Sequence, residues 1–396
     1  MLVCFVSHTS AMGGAERSMM DLIEALTLRG IDCHVIVPDR GDLTKTMDVR
    51  GVPYFVSYFR PWCRAAGAPL WDRLLKKPFV HIVRAAQMAR TLRRCKCDIV
   101  VTNTFTVCEG AVAAWLLGIP HVTHVREFGD PGYGLHFELG VHLSMRILNH
   151  LSKGMVFNSR ALARHFESEL PASRAHVVYN AVVVPALAPT RAQAARERCD
   201  GTVVCLLVGS ILKSKGQEDA VRAVHELVRR GVFVRLRIVG GGESGKIDRL
   251  RQLIHALEIE TQVELVGQVA DPYPYYAGAD VVLVCSHREA FARVPIEAMK
   301  IGRPVIAAHG GGTGEQIRDG FNGSLYPPGD WTALADRIQA FCADRQAACE
   351  MAGRAQEWAT RTFNVERYGD EMLAVLLEIV APSNVRLSTA EERRSA

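Results

Sequence analysis

One pattern constrains this chain more than any other: short runs rich in Val and Ile alternate with helix-length amphipathic segments, and the alternation is met twice. In the first half the runs are LVCFVS, CHVIVP, DIVVTN, HVTHV, GMVFNS and HVVYN, separated by segments such as AERSMMDLIEALTLRG, which Gly30 closes. Strands apolar on both faces belong in a parallel sheet covered by helices, and parallel strands need a crossover to connect them. After VVVPALAPTRAQAARERCDG (182–201), with two prolines and no strand pattern, the rhythm restarts. Its runs are TVVCLLVGS, VRLRIVG, QVELVGQV, DVVLVCS, RPVIAA and GSLYPP. A chain of 396 residues exceeds one ordinary core. The predicted fold class is therefore α/β, two Rossmann-like doubly wound domains facing each other across a cleft. The predicted boundaries are 1–185 for the N-terminal domain, 186–200 for a linker and 201–365 for the C-terminal domain. Residues 366–381 are expected to form a helix crossing back to the N-terminal domain, and 382–396 a disordered tail.

Composition narrows the class. With 48% hydrophobic and 22% charged residues the chain has a globular balance. Its 11 cysteines form no C-x-x-C pair, Cys95 and Cys97 being the closest. Reduced thiols in a cytoplasmic protein are expected, and metal sites and cofactors are not. The opening MLVCFVSHTS reads as a strand rather than a signal peptide, and no run approaches the roughly 18 apolar residues of a membrane span. The net charge of +5 is modest, but ten Lys or Arg and one acid, Asp72, lie between Arg60 and Lys96. That stretch, 60–96, interleaves Trp62, Trp71 and Phe79 with the cations, as a segment lying on an anionic membrane surface would. The expected location is cytoplasmic, peripheral at the inner face of the membrane. No nucleic-acid module accompanies the charge, so no nucleic-acid partner is expected.

The stretch IVGGGESGKIDRL (238–250) spells two phosphate motifs at once. As a P-loop it fails at Ile247, where Ser or Thr must offer a hydroxyl to magnesium. As a dinucleotide fingerprint (Gly240, Gly242, Gly245) it needs an acid at the end of the following strand. Glu260 lies before QVELVG and Glu264 inside it. What remains is a strand-to-helix turn leading into KIDRLRQLIHAL.

The segment 286–330, SHREAFARVPIEAMKIGRPVIAAHGGGTGEQIRDGFNGSLYPPGD, is more informative. A strand ends at Cys285, a loop carries Glu289, and Pro295 marks a helix start with Glu297 in its first turn. The glycine loop His309 to Gly314 follows at the sheet edge where open α/β folds bind ligands. Carboxylates accept paired hydrogen bonds from vicinal diols, and glycines let backbone N–H groups approach a diphosphate. Together they describe a site for a sugar nucleotide.

Glu289 and Glu297 stand in an E-x7-E spacing, and the chain resembles the retaining glycosyltransferases of family 4, with the GT-B fold. GGAERSMMDLIEAL, VVYNAV and VGSILKSKGQEDAVRAV add matches in the family's order, so the resemblance spans about residues 1–375. It implies an N-terminal acceptor-binding domain and a C-terminal nucleotide-sugar-binding domain. It implies that Lys215 contacts the donor diphosphate, that Glu297 holds the ribose hydroxyls and that Glu289 binds the transferred sugar. Gly310, Gly311 and Gly312 would approach sugar and phosphates through their backbone. Gly13 and Gly14 would face the diphosphate from the other domain, with Glu315 a contact or loop brace. The chain departs from the family where Ser210 replaces a phosphate-binding Arg, which Lys213 or Arg293 would have to replace, and where Ala292 and Ala181 replace glycines. The family's N-domain active-site His falls within PHVTHVREFGD, at His124, Arg126 or His121, with Glu127 alongside.

The expected activity is metal-independent transfer, with retention, from a nucleotide-diphosphate sugar to a saccharide or lipid-linked acceptor, in surface polysaccharide or glycolipid synthesis. No D-x-D motif is present to hold a metal-bound diphosphate, so Lys215 and backbone amides would meet the charge of the leaving group. Two other classes compete. An NAD-dependent oxidoreductase lacks the acid just described. A catalytically silent binding protein would have lost Glu289, Glu297 or Lys215, and all three are present.

Overall fold

The computed structural model describes residues 1–64, 77–129, 135–137, 139–185 and 201–381. The linker expected at 186–200, the tail at 382–396 and Trp71 lie outside the described residues. The first half builds β1 (Leu2–Val6), β2 (Asp32–Val37), β3 (Tyr54–Val56), β4 (Cys63–Arg64), β5 (Ile99–Thr102), β6 (His121–Val125), β7 (His136–Phe137), β8 (Gly154–Phe157) and β9 (Ala175–Val177). Seven of these form one sheet in the order β3-β2-β1-β5-β6-β8-β9, every pair parallel. The second half contributes β10 (Val203–Val208), β11 (Val234–Val239), β12 (Val263–Gly267), β13 (Val281–Val284), β14 (Val305–Ala308) and β15 (Ser324–Tyr326). They form a second parallel sheet, β12-β11-β10-β13-β14-β15.

Both sheets are doubly wound because their central strands, such as VVCLLV of β10, are apolar on both faces and must be covered twice. Two elements escape the sequence pattern. Strand β3 is a three-residue edge, and β4 pairs antiparallel with β7 through two residues each; runs so short leave no period to recognise. Conversely, the expected strand HVVYN pairs only as far as Val177, and Asn180 lies beyond it, free to serve the site.

The last helix, Val365–Val380, lies against the Gly14–Thr27 helix of the first half. Tyr368, Met372 and Leu376 are buried in one core with Met19, Leu22 and Ile23. Truncating such a residue to Ala costs about 2–5 kcal/mol, so this helix is part of the N-terminal core rather than an appendage. The chain crosses between the halves again near Phe363, whose carbonyl accepts from the Val182 N–H at 3.2 Å. Lys300 Nζ donates to the carbonyls of both Val182 (2.7 Å) and Phe363 (2.9 Å).

The basic stretch is only partly as expected. Helix Lys77–Cys95 exposes Ile82, Val83, Arg90, Arg93 and Arg94. Trp62, by contrast, is buried, and its indole N–H donates to the Phe105 carbonyl at 2.8 Å. A buried, satisfied indole cannot reach a lipid interface. Among the described residues no helix is long and apolar enough to cross a membrane.

Candidate active site

A cavity of about 380 Å³ opens between the two sheets. Gly13, Gly14 and Arg17 line it from one side, and Ser210, Lys215, Glu289, Arg293 and Glu297 from the other. A second cavity of about 240 Å³ shares Arg126, Glu127, Lys215 and Glu289 with the first and is lined further by His8, Thr104, Thr106 and Arg288. With Ala15, these four shared residues form the wall common to the two cavities.

Local chain geometry explains how Lys215 arrives there. The turn Lys213–Lys215 ends on Gly216, whose φ of 67° lies in the left-handed region. A Cβ on Gly216 would come within 2.1 Å of the Cys285 carbonyl oxygen, so only glycine lets the turn press against the end of β13. Lys215 Nζ then forms an ion pair with Glu289 Oε1. Ser210 lines the same cavity, and its carbonyl accepts from Gln217 Nε2 at 2.9 Å.

The Val294–Lys300 helix sets the second carboxylate. Glu297 is buried in its first turn, accepting from Tyr276 Oη at 2.9 Å and facing Arg293 Nε at 3.4 Å. Arg293 also donates to Asp21 at 2.6 Å and Ser18 at 3.1 Å, both on the Gly14–Thr27 helix. Arg293 lines the cavity and Lys213 does not, and the Arg293 charge is paired with both Asp21 and Glu297. Burial pushes the Asp21 carboxyl up, and the Arg293 charge opposes that shift.

The glycine loop packs closely against the loop that carries Glu289. Cβ atoms on Gly310, Gly311 and Gly312 would meet the carbonyl oxygens of His287, Glu289 and Ala290 at 2.1, 2.2 and 2.1 Å. The Gly312 N–H donates to the Glu289 carbonyl at 2.7 Å. The three glycines thus hold the Glu289 loop from behind, and none of them lines either cavity. Glu315 also faces away. It accepts from the Arg160 N–H (2.9 Å), the Ala161 N–H (2.6 Å) and Tyr179 Oη (2.7 Å), capping a helix start in the other half. Of the two readings of Glu315, the brace is the one the geometry supports.

Of the N-terminal candidates, Arg126 reaches both cavities while His124 stays behind it. His124 is fully buried, its Nδ1 lies 3.2 Å from Arg126 Nη2, and burial holds its ring well below the usual His range. His121 is a core residue spanning Thr102 and Ser152 at 2.8 Å each. Asn103 and Asn180 fix the Arg126 guanidinium at 2.9 and 2.8 Å. Glu127, the next residue, is the more unusual group: burial, partly offset by His8 and Arg126, raises its carboxyl to about 7, and its Oε1 has no hydrogen-bond partner. Gly13 and Gly14 open the Gly14–Thr27 helix toward the first cavity, where backbone N–H groups suit an anion.

Sequence reasoning missed Arg17, His8 and Arg288. Each is a polar residue in an ordinary local context, and only the approach of the two halves gives it a place. Gly240, Gly241 and Gly242 form the expected turn between β11 and the Ser244–Ala256 helix, and Gly245 lies inside that helix. Gly240 lines the larger cavity, while Lys246 pairs at the surface with Glu243.

The glycosyl transferases group 1 family model matches residues 191–358, and the glycosyltransferase family 4 model matches residues 12–184. Similar curated proteins include a D-inositol 3-phosphate glycosyltransferase of Xylanimonas cellulosilytica, 32% identical over 57% of this chain and 55% of its own. Another is the N-acetyl-alpha-D-glucosaminyl L-malate synthase of Bacillus anthracis, 28% identical over 45% of this chain and 46% of its own. The chain thus spans about half the length of these relatives. Among solved structures, Anabaena Alr3699/HepE in complex with UDP-glucose superposes with a TM-score of 0.78 at 24% identity, covering 96% of this chain and 100% of that one. Sucrose-phosphate synthase of Thermosynechococcus elongatus gives 0.76 at 20%, over 96% and 98%. Both share the fold.

Proposed function

The chain belongs to the family 4 glycosyltransferases of GT-B fold, and from that premise we propose that it moves a sugar from a nucleoside-diphosphate sugar to a hydroxyl acceptor, in building a surface polysaccharide or glycolipid. The observation that carries this reading is the Lys215–Glu289 pair at the wall common to both cavities. In this reading the larger cavity holds the donor. Glu297 accepts from the ribose diol, Lys215 and the N–H groups at Gly13 and Gly14 meet the diphosphate, and Arg293 and Arg17 add charge that Ser210 cannot. The smaller cavity takes the acceptor, against Thr104, Thr106 and Arg288.

Transfer proceeds with retention and without a metal ion. Glu289 orients the sugar hydroxyls from one side. Lys215, with three N–H donors, is shared between Glu289 and the phosphate as charge builds on the leaving group. The departing phosphate takes the acceptor proton, and Arg126 and Glu127 hold the acceptor side. His124 positions Arg126 rather than touching substrate. The exposed Arg90, Arg93 and Arg94 beside Ile82 and Val83 would keep the protein at an anionic leaflet.

A thermal-shift panel of nucleoside diphosphates tests the reading, with UDP tried first because Alr3699/HepE binds it. At 100 times Kd a ligand adds about 2.7 kcal/mol of stability. A clear upward shift with one diphosphate is expected; no shift with any of them would refute the donor site.

A further inference from the structure

We infer that Cys4, Cys95, Cys97 and His34 form a structural site for a zinc ion, on the far face of the N-terminal sheet from the Gly14–Thr27 helix. The Sγ atoms of the three cysteines all lie within 4.8 Å of one another, and all three residues are buried. Thiolates at about 2.3 Å from a tetrahedral zinc stand about 3.8 Å apart, so the cluster is already the size of a zinc coordination sphere. His34 would take the fourth position, its ring turning in from outside the set of three close thiols. It is the β2 residue in register with Cys4 on β1, and its Nδ1 lies 3.3 Å from Cys95 Sγ.

The backbone is bent to make this cluster. Lys96, between Cys95 and Cys97, holds φ at 54°, one of two non-glycine residues in the left-handed region among the described residues. Such a conformation costs a side-chain-bearing residue about 1–2 kcal/mol. Here it ends the Lys77–Cys95 helix and turns Cys97 back toward Cys95 and Cys4. The turn is tied down on its far side, where the Asp98 N–H donates to the Leu2 carbonyl at 2.9 Å and Asp98 Oδ2 accepts from the Leu2 N–H at 2.7 Å. Sequence spacing cannot show the site, since a C-x-C pair offers two ligands and the other two come from distant strands. Bound there, zinc would displace the thiol protons to solvent and pin the basic helix to β1 and β2.

Metal analysis tests this on the full chain, purified with reductant and without chelator. One equivalent of zinc per chain is expected. Reduced metal-free protein is expected to take up Co²⁺ with the d–d and thiolate charge-transfer bands of a tetrahedral site. C97S and C95S should lose both signals and C342S, in the other domain, keep them. Removing the metal should lower the Tm of wild type and leave that of C97S unchanged. Reduced wild-type protein that binds neither ion would overturn the inference, and that result needs no variant to fold. Co²⁺ binding by H34A as tight as wild type, or a disulfide among the three cysteines in freshly purified protein, would overturn it equally.

Discussion

The guanidinium of Arg293 spans the cleft: its Nη1 lies 2.6 Å from Asp21 Oδ2 on the opposing half, while its Nε faces Glu297 Oε1 at 3.4 Å. One side chain thus links the joining of the halves to the carboxylate proposed to hold the ribose.

Breaking a buried pair by removing one partner costs about 3–5 kcal/mol, and Glu297 would still offset part of the exposed charge. Asp21→Asn is therefore expected to cost about 2 kcal/mol in urea unfolding and to weaken nucleoside-diphosphate binding. Unchanged stability and affinity would show that the cross-cleft contact carries nothing.

At Lys215 and Glu289 the proposal separates binding from chemistry. Lys215→Ala should weaken nucleoside-diphosphate binding by about 10–100-fold, some 1.4–2.7 kcal/mol, in calorimetry. Glu289→Gln should bind the diphosphate as wild type does and lose turnover. If its turnover stayed within about threefold, less than roughly 0.7 kcal/mol of barrier would rest on that charge, and the assigned role would be wrong.

Glu127 makes a pH prediction. Its carboxyl is raised to about 7 in the folded chain, against an ordinary value near 4.3. The folded state therefore binds the proton more tightly than the unfolded one. Its contribution to stability is full below the unfolded value and is lost as pH rises toward and through 7. Relative to Glu127→Gln, wild type should lose roughly 2–3 kcal/mol of stability between pH 5 and pH 8. Parallel stability curves for the two proteins would contradict the raised carboxyl.

The brace behind Glu289 is open to the same kind of test. Gly312→Ala sets a Cβ 2.1 Å from the Ala290 carbonyl and must move the loop. A loss of at least about tenfold in kcat/KM is expected, near 1.4 kcal/mol of barrier. Diphosphate affinity should change little, because Gly312 lies outside the cavity wall. A larger loss in affinity than in turnover would return the glycine loop to the donor itself.

Recovery from anionic vesicles tests the basic helix. Each cation near such a surface contributes about 1 kcal/mol, so Arg90, Arg93 and Arg94 replaced together by Gln should reduce sedimentation with the vesicles by more than tenfold at low salt. Equal sedimentation would assign the charge to solvation alone.

The architecture was legible because strand and helix periods are local properties. Glu289 and Glu297 were read from one contiguous segment and Lys215 from a separate strand-loop-helix stretch, and the fold brings all three to one cavity wall. Gly310–Gly312 and Glu315 show the limit: glycine beside a ligand and glycine beside a carbonyl look alike in sequence, and only the fold shows which neighbour each one meets. His124 and Arg126 could not be separated because residues two apart share a face of the strand, and only its end at Val125 decides which of them reaches the cavity. Arg17, His8 and Arg288 depend on the approach of two halves, which no local pattern encodes. Trp62 misled because its aromatic character was visible and its burial was not.

The double crossing near Val182 and Phe363 limits how the halves can move. Two chain segments pass from one half to the other side by side, bonded to each other and both held by Lys300 Nζ. Two adjacent fixed points define an axis, so opening of the cleft reduces to rotation about that line, with sliding and twisting opposed. Because the Val365–Val380 helix fills the N-terminal core, removing the chain beyond Phe363 would take away one pivot and part of that core together. The crossing at Val182 would remain, but a single pivot no longer defines the line of rotation.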